Sequence, residues 1–310
     1  PDYQDARVAI IFATLFASPT RHKEGAWDSQ CYADSNEAHK LYSRQADAYH
    51  RLIDDHPEKF RLLCDQSEVI SHLQDWEDES AAPPVGLVIL MECADSIRSP
   101  SELELWWQRG VRIIGPAWAG TRFCGGTGEP GPLTKDGYAL LEAMADLGFA
   151  LDLSHMDEKA VLQSLDFFSG PILATHSNSA ALMKGADTNR HLTDRVIQGA
   201  IERDAIIGVV PYNPFLLPGW TLKDGREHVS LKQVVAHIDH ICQIAGDAHH
   251  VGIGSDFDGG FGLQHTPIEI NTIADLHKLV PLLDKKGYNT ADIAAIFGQN
   301  WHRFLTKNLP

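Results

Sequence analysis

Four stretches of this sequence run apolar for several residues and then stop at a side chain that binds divalent metals or carries protons. Residues 85–91 stop at Glu92, 149–153 at Ser154-His155, 171–174 at Thr175-His176, and the run Val-Gly-Ile-Gly-Ser over 251–255 stops at Asp256. A glutamate, two histidines and an aspartate form a donor set suited to a zinc-like ion with positions left open for water. That combination is what metal-assisted hydrolysis requires. Geometry decides whether the four can act together. In a parallel α/β protein the strands are buried on both faces, and polar residues that do chemistry lie just past their carboxyl ends.

Each of the four also has an ordinary structural use. Glu92 and Asp256 can cap turns or helices, His155 can be a hydrogen-bonded core histidine, and His176-Ser177-Asn178 can open a helix. The recurrence favours a shared site, because four separate structural reasons would have to coincide at four strand ends.

The elements that must position these residues can be read from periodicity. Strands are expected over 7–16, 85–91, 111–114, 149–153, 171–174, 205–210 and 251–255. Helices are expected over 35–56, 66–77, 99–109, 134–147, 157–168, 193–203, 231–245, 268–284 and 290–305. An acidic, proline-containing connector spans 77–84, and a Gly/Pro-rich loop spans 115–132. Strand and helix alternate, which predicts a parallel sheet. Seven strands are one short of a closed (β/α)8 barrel. The chain opens at Pro1, directly before a strand with no preceding helix, so a first strand outside residues 1–310 is expected. The reading is thus an α/β, TIM-type barrel forming one metallohydrolase domain over 1–310.

Composition excludes several function classes. With 26 Lys and Arg against 42 Asp and Glu, the formal charge of −16 argues against a nucleic-acid or anionic-membrane surface. No apolar run reaches the roughly 18 residues that span a bilayer. Cysteines at 31, 64, 93, 124 and 242 are odd in number and lack C-x-x-C spacing, which fits a reduced, cytoplasmic chain; one Cys93–Cys124 bridge stays open.

Several chemical look-alikes fail on local grounds. His237-Ile-Asp239 is a literal His-x-Asp inside a helical run, where residues two apart diverge by about 200°, so it reads as a solvated helix face. His249-His250 precedes its strand at the wrong end. Gly126-x-Gly128-x-x-Gly131 does not leave a strand directly, and Pro130 removes an N–H that a phosphate turn needs. Ser154 and Ser177 beside histidines lack a G-x-S-x-G elbow. Trp106-Trp107 reads as helix packing, and Asp258 as a turn residue.

Taken in order, Leu-Asp-Leu-Ser-His-Met (151–156), Ala-Thr-His-Ser-Asn-Ser (174–179), Asn-Arg-His-Leu-Thr-Asp (189–194), His-Ile-Asp-His (237–240), Val-Gly-Ile-Gly-Ser-Asp-Phe-Asp-Gly (251–259) and Phe-Gly-Gln-Asn-Trp-His-Arg-Phe-Leu (297–305) resemble the membrane (renal) dipeptidase family of zinc peptidases. The resemblance covers most of the chain. It implies a (β/α)8 barrel holding two zinc ions and hydrolysing dipeptides, with tolerance for D-residues at the C-terminal position. Carried over by position, Glu92 is the carboxylate bridging the metals, His155 and His176 are ligands of the second zinc, Arg190 holds the substrate carboxylate, Asp256 assists proton transfer, and Tyr212 lines the pocket.

Two departures from the family pattern stand out. The family takes ligands of its first zinc from a His-x-Asp at the end of the first strand, and none precedes residue 7, so two ions are expected only if that motif lies upstream and one otherwise. The family also places an oxyanion-stabilising histidine after its fourth strand, where this chain reads Gly115-Pro116-Ala117-Trp118. Alternatives are a one-metal amidohydrolase acting on a cyclic amide or base, and a catalytically incomplete barrel that binds rather than cleaves. The expected partner is a small dipeptide, with a homodimer left open.

Overall fold

The computed structural model describes residues 2–23, 25–78 and 82–310. Part of the 77–84 connector, residues 79–81, lies outside the described residues. The fold is α/β, built on parallel strands: β1 (Ile10–Leu15), β2 (Phe60–Leu62), β3 (Val85–Glu92), β4 (Val111–Gly115), β5 (Ala150–Asp152), β6 (Ile172–Leu173), β7 (Ile207–Val209) and β8 (Val251–Ile253).

Pairing follows β1–β3–β4–β5–β6, with β7–β8 as a second pair. A bridge between Ala174 and Ile207 joins the two groups. The ring is therefore continuous from β1 to β8. Among the described residues no strand ladder joins β8 back to β1. Trp301 touches both edges there: its ring meets Phe12 edge-on at 5.2 Å, and its Nε1–H donates to the Ile253 carbonyl at 3.2 Å.

The strand β2 was not expected from sequence. Three residues offer no period to detect, and Phe60 to Leu62 gain strand geometry only by pairing with Val85 to Leu87. It covers the first half of one β3 edge, and β4 takes over from Ile89. It thus adds no stave at the mouth where β3 ends.

Other corrections are local. The 115–132 loop contains a hairpin, Cys124–Gly126 against Glu129–Leu133, because the tight Gly126-to-Glu129 turn lets the two arms pair. The expected helix 268–284 begins later, as a 3₁₀ turn over Ile273–Leu279 leading to Val280–Lys286, since the Thr272–Asp275 capping box sets its start. The last helix is interrupted by a π segment at Ala295–Gln299. All five cysteines are free, so the Cys93–Cys124 bridge is absent. His237 is buried rather than solvated, its Nδ1 accepting from the Ser179 amide, while Asp239 turns away to Tyr288 and Lys286. Trp106 is fully buried in the core, as helix packing predicts.

Side-chain alternation separates two layers of core. Val88 and Leu90 of β3 meet Ile113, Ala150, Leu173 and Ile206 inside the ring, with Phe304 and Leu305 of the last helix. Ile89, Met91, Ile114 and Leu151 point the other way, into the helix-facing core. Because successive strand residues alternate, Glu92 shares the inward parity of Val88 and Leu90, Asp152 that of Ala150, and Thr175 that of Leu173.

β6, β7 and β8 approach closely just below the mouth, and glycine makes this feasible. A Cβ on Gly208 would lie 2.1 Å from the Thr175 carbonyl oxygen and 2.8 Å from the Gly254 Cα; a Cβ on Gly254 would also meet the Thr175 oxygen at 2.1 Å. Gly208→Ala is therefore expected to destabilise the chain by about 1–3 kcal/mol through overpacking. Gly298→Ala, with nothing within 4 Å of its Cβ position, is expected to be neutral or stabilising by up to about 1 kcal/mol. Urea unfolding of the two variants checks the contrast; equal midpoints would remove the close-approach argument.

Candidate metal centre

At the carboxyl end of the ring three ligand atoms converge. The Glu92 Oε1 lies 3.2 Å from the His155 Nε2 and 3.5 Å from the His176 Nε2, and the two Nε2 atoms are 3.0 Å apart. Among the described residues this is the one cluster of three His, Cys, Asp or Glu with convergent ligand atoms. All three side chains are largely buried.

Local backbone and hydrogen bonds hold the cluster. Cys93 (φ 71°) and His155 (φ 67°) occupy the left-handed region, which is uncommon for residues with a Cβ and recurs where function over-determines the backbone. The Tyr42 hydroxyl, from the Ser35–Asp55 helix, donates to the Glu92 carbonyl at 2.6 Å. Behind the histidines stand two threonines: Thr127 Oγ1 is 3.1 Å from the His155 Nδ1, and Thr175 Oγ1 is 2.7 Å from the His176 Nδ1. Both imidazoles therefore present Nε2 to the cluster.

Burial shapes the titration of these groups. It pushes His155 down to about 3, with the Arg190 charge adding to the effect. His176 is equally enclosed, and burial works to lower it too, yet Asp256 and Glu92 outweigh that and hold it above the ordinary histidine value. Burial would raise Glu92, but hydrogen bonds with His155 and His176 outweigh it and keep this carboxyl well below the usual range.

Asp256 lies near enough for its charge to act on His176, Glu92 and Arg190, and burial lifts its carboxyl to about 6. It too has a left-handed backbone, φ 52°. Arg190 is 3% exposed; its Nη1 donates to Ser177 Oγ at 3.1 Å, its Nη2 to the His176 carbonyl at 2.7 Å, and its guanidinium lies over the Phe215 ring at 5.0 Å. Its Nε–H has no partner among the described residues. Tyr212 packs against Phe215 and Phe261 with ring centroids 4.8 and 4.4 Å away. Trp118 lies 6.1 Å from the His155 ring and contacts Phe16 and His22. His22 and Arg21 both bind Glu129 of the hairpin, tying the loop after β1 over this wall.

A family model described as membrane dipeptidase (Peptidase family M19) matches residues 5–308. The chain belongs to this family. It is a metal-dependent dipeptidase by that membership. A Klebsiella pneumoniae protein, uncharacterized and encoded in a pqqA 5′ region, is 35% identical over 219 residues, covering 67% of this chain and 76% of the relative. A Claviceps purpurea protein named dipeptidase tcpJ is 29% identical over 217 residues, 67% of this chain but 47% of that protein. The chain spans about half the length of this fungal relative. A solved metallopeptidase, dipeptidase AC, superposes with a TM-score of 0.84 at 25% identity, covering all of this chain and 88% of that one. A Rhodobacter sphaeroides metallopeptidase, solved with a phosphinate mimic of L-Ala-D-Ala, has the same fold: TM-score 0.82, 24% identity, 100% and 89% coverage.

For a member of the M19 family, a divalent metal has to fit the residues present, and it does. Two imidazole nitrogens and a carboxylate oxygen form a suitable donor set, and each Nδ1 is already occupied by a threonine hydroxyl, leaving Nε2 as the ligand atom. Sequence reasoning located Glu92, His155, His176, Arg190 and Asp256, and all five fall in this one region. It overlooked Thr127, Thr175, Asp152 and Tyr42. Only Asp152 carried a signal, a carboxylate inside the otherwise apolar run 149–153.

In metal-free protein the two ligand histidines should titrate apart. Since burial disfavours its charged form, His155 is expected to remain neutral from pH 8 down past pH 5, whereas His176 should keep its proton to a pH above that of an ordinary histidine. A proton NMR titration of the imidazole resonances checks this; two rings titrating together near the free-histidine value would contradict the described crowding.

Proposed function

We propose that Glu92, His155 and His176 hold a zinc ion and that the chain cleaves the amide bond of free dipeptides, including those with a D-residue at the C-terminal position. The convergence of the three ligand atoms within 3.0–3.5 Å carries this reading. Held by Glu92, His155 and His176, such an ion would polarise the scissile carbonyl and lower the pKa of the attacking water.

The remaining roles belong to the chain's own side chains. Asp256, with its carboxyl lifted to about 6, is a base strong enough to take a proton from the attacking water near neutral pH and acid enough to give it to the departing amine. The water oxygen bonds to the scissile carbonyl carbon, the C–N bond breaks, and the proton carried by Asp256 leaves on the amine nitrogen, so one free amino acid departs with a new carboxylate and the other with a new amino group. Arg190 is fixed by Ser177 and the His176 carbonyl before substrate arrives, so little order is lost when it pairs with the substrate's terminal carboxylate. Tyr212, packed on Phe215 and Phe261, would give the substrate an aromatic wall beside Arg190, and Trp118, packed on Phe16, would give another beside His155. A second zinc would need ligands that the described residues do not place beside Glu92; a His-x-Asp strand upstream of residue 7 would supply them.

Residues 1–310, purified without chelator, should carry one zinc per chain by inductively coupled plasma analysis and hydrolyse members of a dipeptide panel. No metal and no hydrolysis would refute the proposal in favour of a binding barrel. Glu92→Gln should lower activity more than about a hundredfold, beyond the 10–100-fold typical of outer-shell changes, with the circular dichroism spectrum retained; unchanged activity would remove Glu92 from the site.

Arg190→Lys separates binding from chemistry. It should raise KM for free dipeptides far more than for substrates with an amidated C-terminus. An equal effect on both would show that Arg190 does not hold the carboxylate.

A further inference from the structure

Behind His176 lies a buried chain of polar groups that the proposed chemistry does not use. Asp152 is 1% exposed and sits on β5, inside the ring. Its Oδ1 accepts two backbone N–H bonds, from Ser154 and Thr175, both at 2.9 Å. Its Oδ2 accepts from the Thr175 hydroxyl at 2.5 Å. The same hydroxyl oxygen lies 2.7 Å from the His176 Nδ1 and 3.3 Å from the Ser154 Oγ. Ser154 Oγ in turn accepts from the His176 backbone N–H at 3.0 Å.

The direction of this chain follows from counting protons. A carboxylate offers only lone pairs, and a hydroxyl has one proton and two lone pairs. If Thr175 gave its proton to His176, two acceptor oxygens would face each other at 2.5 Å in a buried site, leaving an acceptor unsatisfied at substantial cost. Thr175 therefore donates to Asp152, and its lone pairs receive protons from the His176 Nδ1 and the Ser154 hydroxyl. Asp152, Ser154, Thr175 and the His176 Nδ1 are then all satisfied. The neutral imidazole is left with its proton on Nδ1 and its free lone pair on Nε2, the atom aimed at Glu92 and His155.

We propose that Asp152, acting through the Thr175 hydroxyl, is a positioning residue that locks His176 in the one tautomer able to ligate metal. This rests on the reading of Glu92, His155 and His176 as the metal centre. His155 is seated differently: its Nδ1 faces Thr127 Oγ1 at 3.1 Å, and that hydroxyl makes its other contact with the His155 carbonyl at 3.4 Å rather than with a carboxylate. It serves as the internal control.

Asp152→Asn reverses the chain without changing its shape. The amide oxygen keeps the two backbone N–H bonds, so the amide nitrogen faces Thr175 and becomes a donor. Thr175 can then no longer give its proton to residue 152 and turns it toward the His176 Nδ1, the shorter of its two remaining contacts at 2.7 Å against 3.3 Å to Ser154 Oγ, which pushes the ring proton to Nε2. Long-range proton–nitrogen NMR of the metal-free chain, at a pH where both rings are neutral, should show His176 protonated on Nδ1 in the parent and on Nε2 in D152N, with His155 unchanged. Zinc affinity by chelator competition should fall about 10–100-fold in D152N and T175V, and return in T175S, which keeps the hydroxyl. A His176 tautomer unmoved in D152N, or parent-like zinc affinity in both D152N and T175V, would overturn the relay. A parent chain with the Nδ1–H tautomer that binds no zinc would instead overturn the metal centre while upholding the relay. T175S guards against misfolding of T175V, and D152N is sterically matched to the parent.

Discussion

Three ligand atoms that would repel or hydrogen-bond one another in water are held within 3.5 Å at the end of a buried ring of strands, and much of the surrounding structure serves that crowding. Two imidazole nitrogens 3.0 Å apart tolerate each other when a proton or a cation lies between them. The opposite behaviour of the two rings follows: His155 is driven towards its neutral form by burial and Arg190, while His176 takes the benefit of Asp256 and Glu92. Chemically similar side chains acquire different character from which neighbour each one faces.

Holding this arrangement requires order in the layers beneath it. Left-handed backbone at Cys93, His155 and Asp256 bends three strand ends away from continued ladder pairing. Such conformations are disfavoured by about 1–3 kcal/mol each and persist only where the surroundings over-determine them. Here the surroundings are the tight β6–β7–β8 packing at Gly208 and Gly254, the Tyr42 bond to the Glu92 carbonyl, and the Asp152 network. The last helix contributes from below, with Asn300 donating to the Ala248 and Val251 carbonyls and Trp301 to the Ile253 carbonyl.

Much of the fold was legible because long, buried, parallel strands leave a strong apolar signature, and β3, β4 and β5 were found within a residue or two. The three-residue β2 was not, since Phe60-Arg61-Leu62 becomes a strand only when β3 lies beside it. His237 was misjudged for a related reason. Helical periodicity says which residues share a face, but not that the Ser179 loop would pack on that face and bury a histidine. At the site, residues with a strong chemical character, Glu92, His155, His176 and Asp256, announced themselves at strand ends. Thr127 and Tyr42 did not, because threonine and tyrosine occur in many roles and only their distance from a ligand gives them this one.

The sequence by itself determined the placing of Glu92, His155, His176 and Asp256 at strand ends, the alternation of strand and helix, and the family motifs, because apolar runs and residue type are local properties of the chain. Tertiary structure alone decided that the Nε2 atoms of His155 and His176 point at one carboxylate, that Arg190 is anchored by Ser177 and the His176 carbonyl, and that a hydroxyl on Thr175 stands between Asp152 and a ligand ring. Apart from the step between the adjacent Thr175 and His176, those are contacts between segments more than ten residues apart, and their direction is set by how closely strands pack and where protons can sit, which no local pattern records.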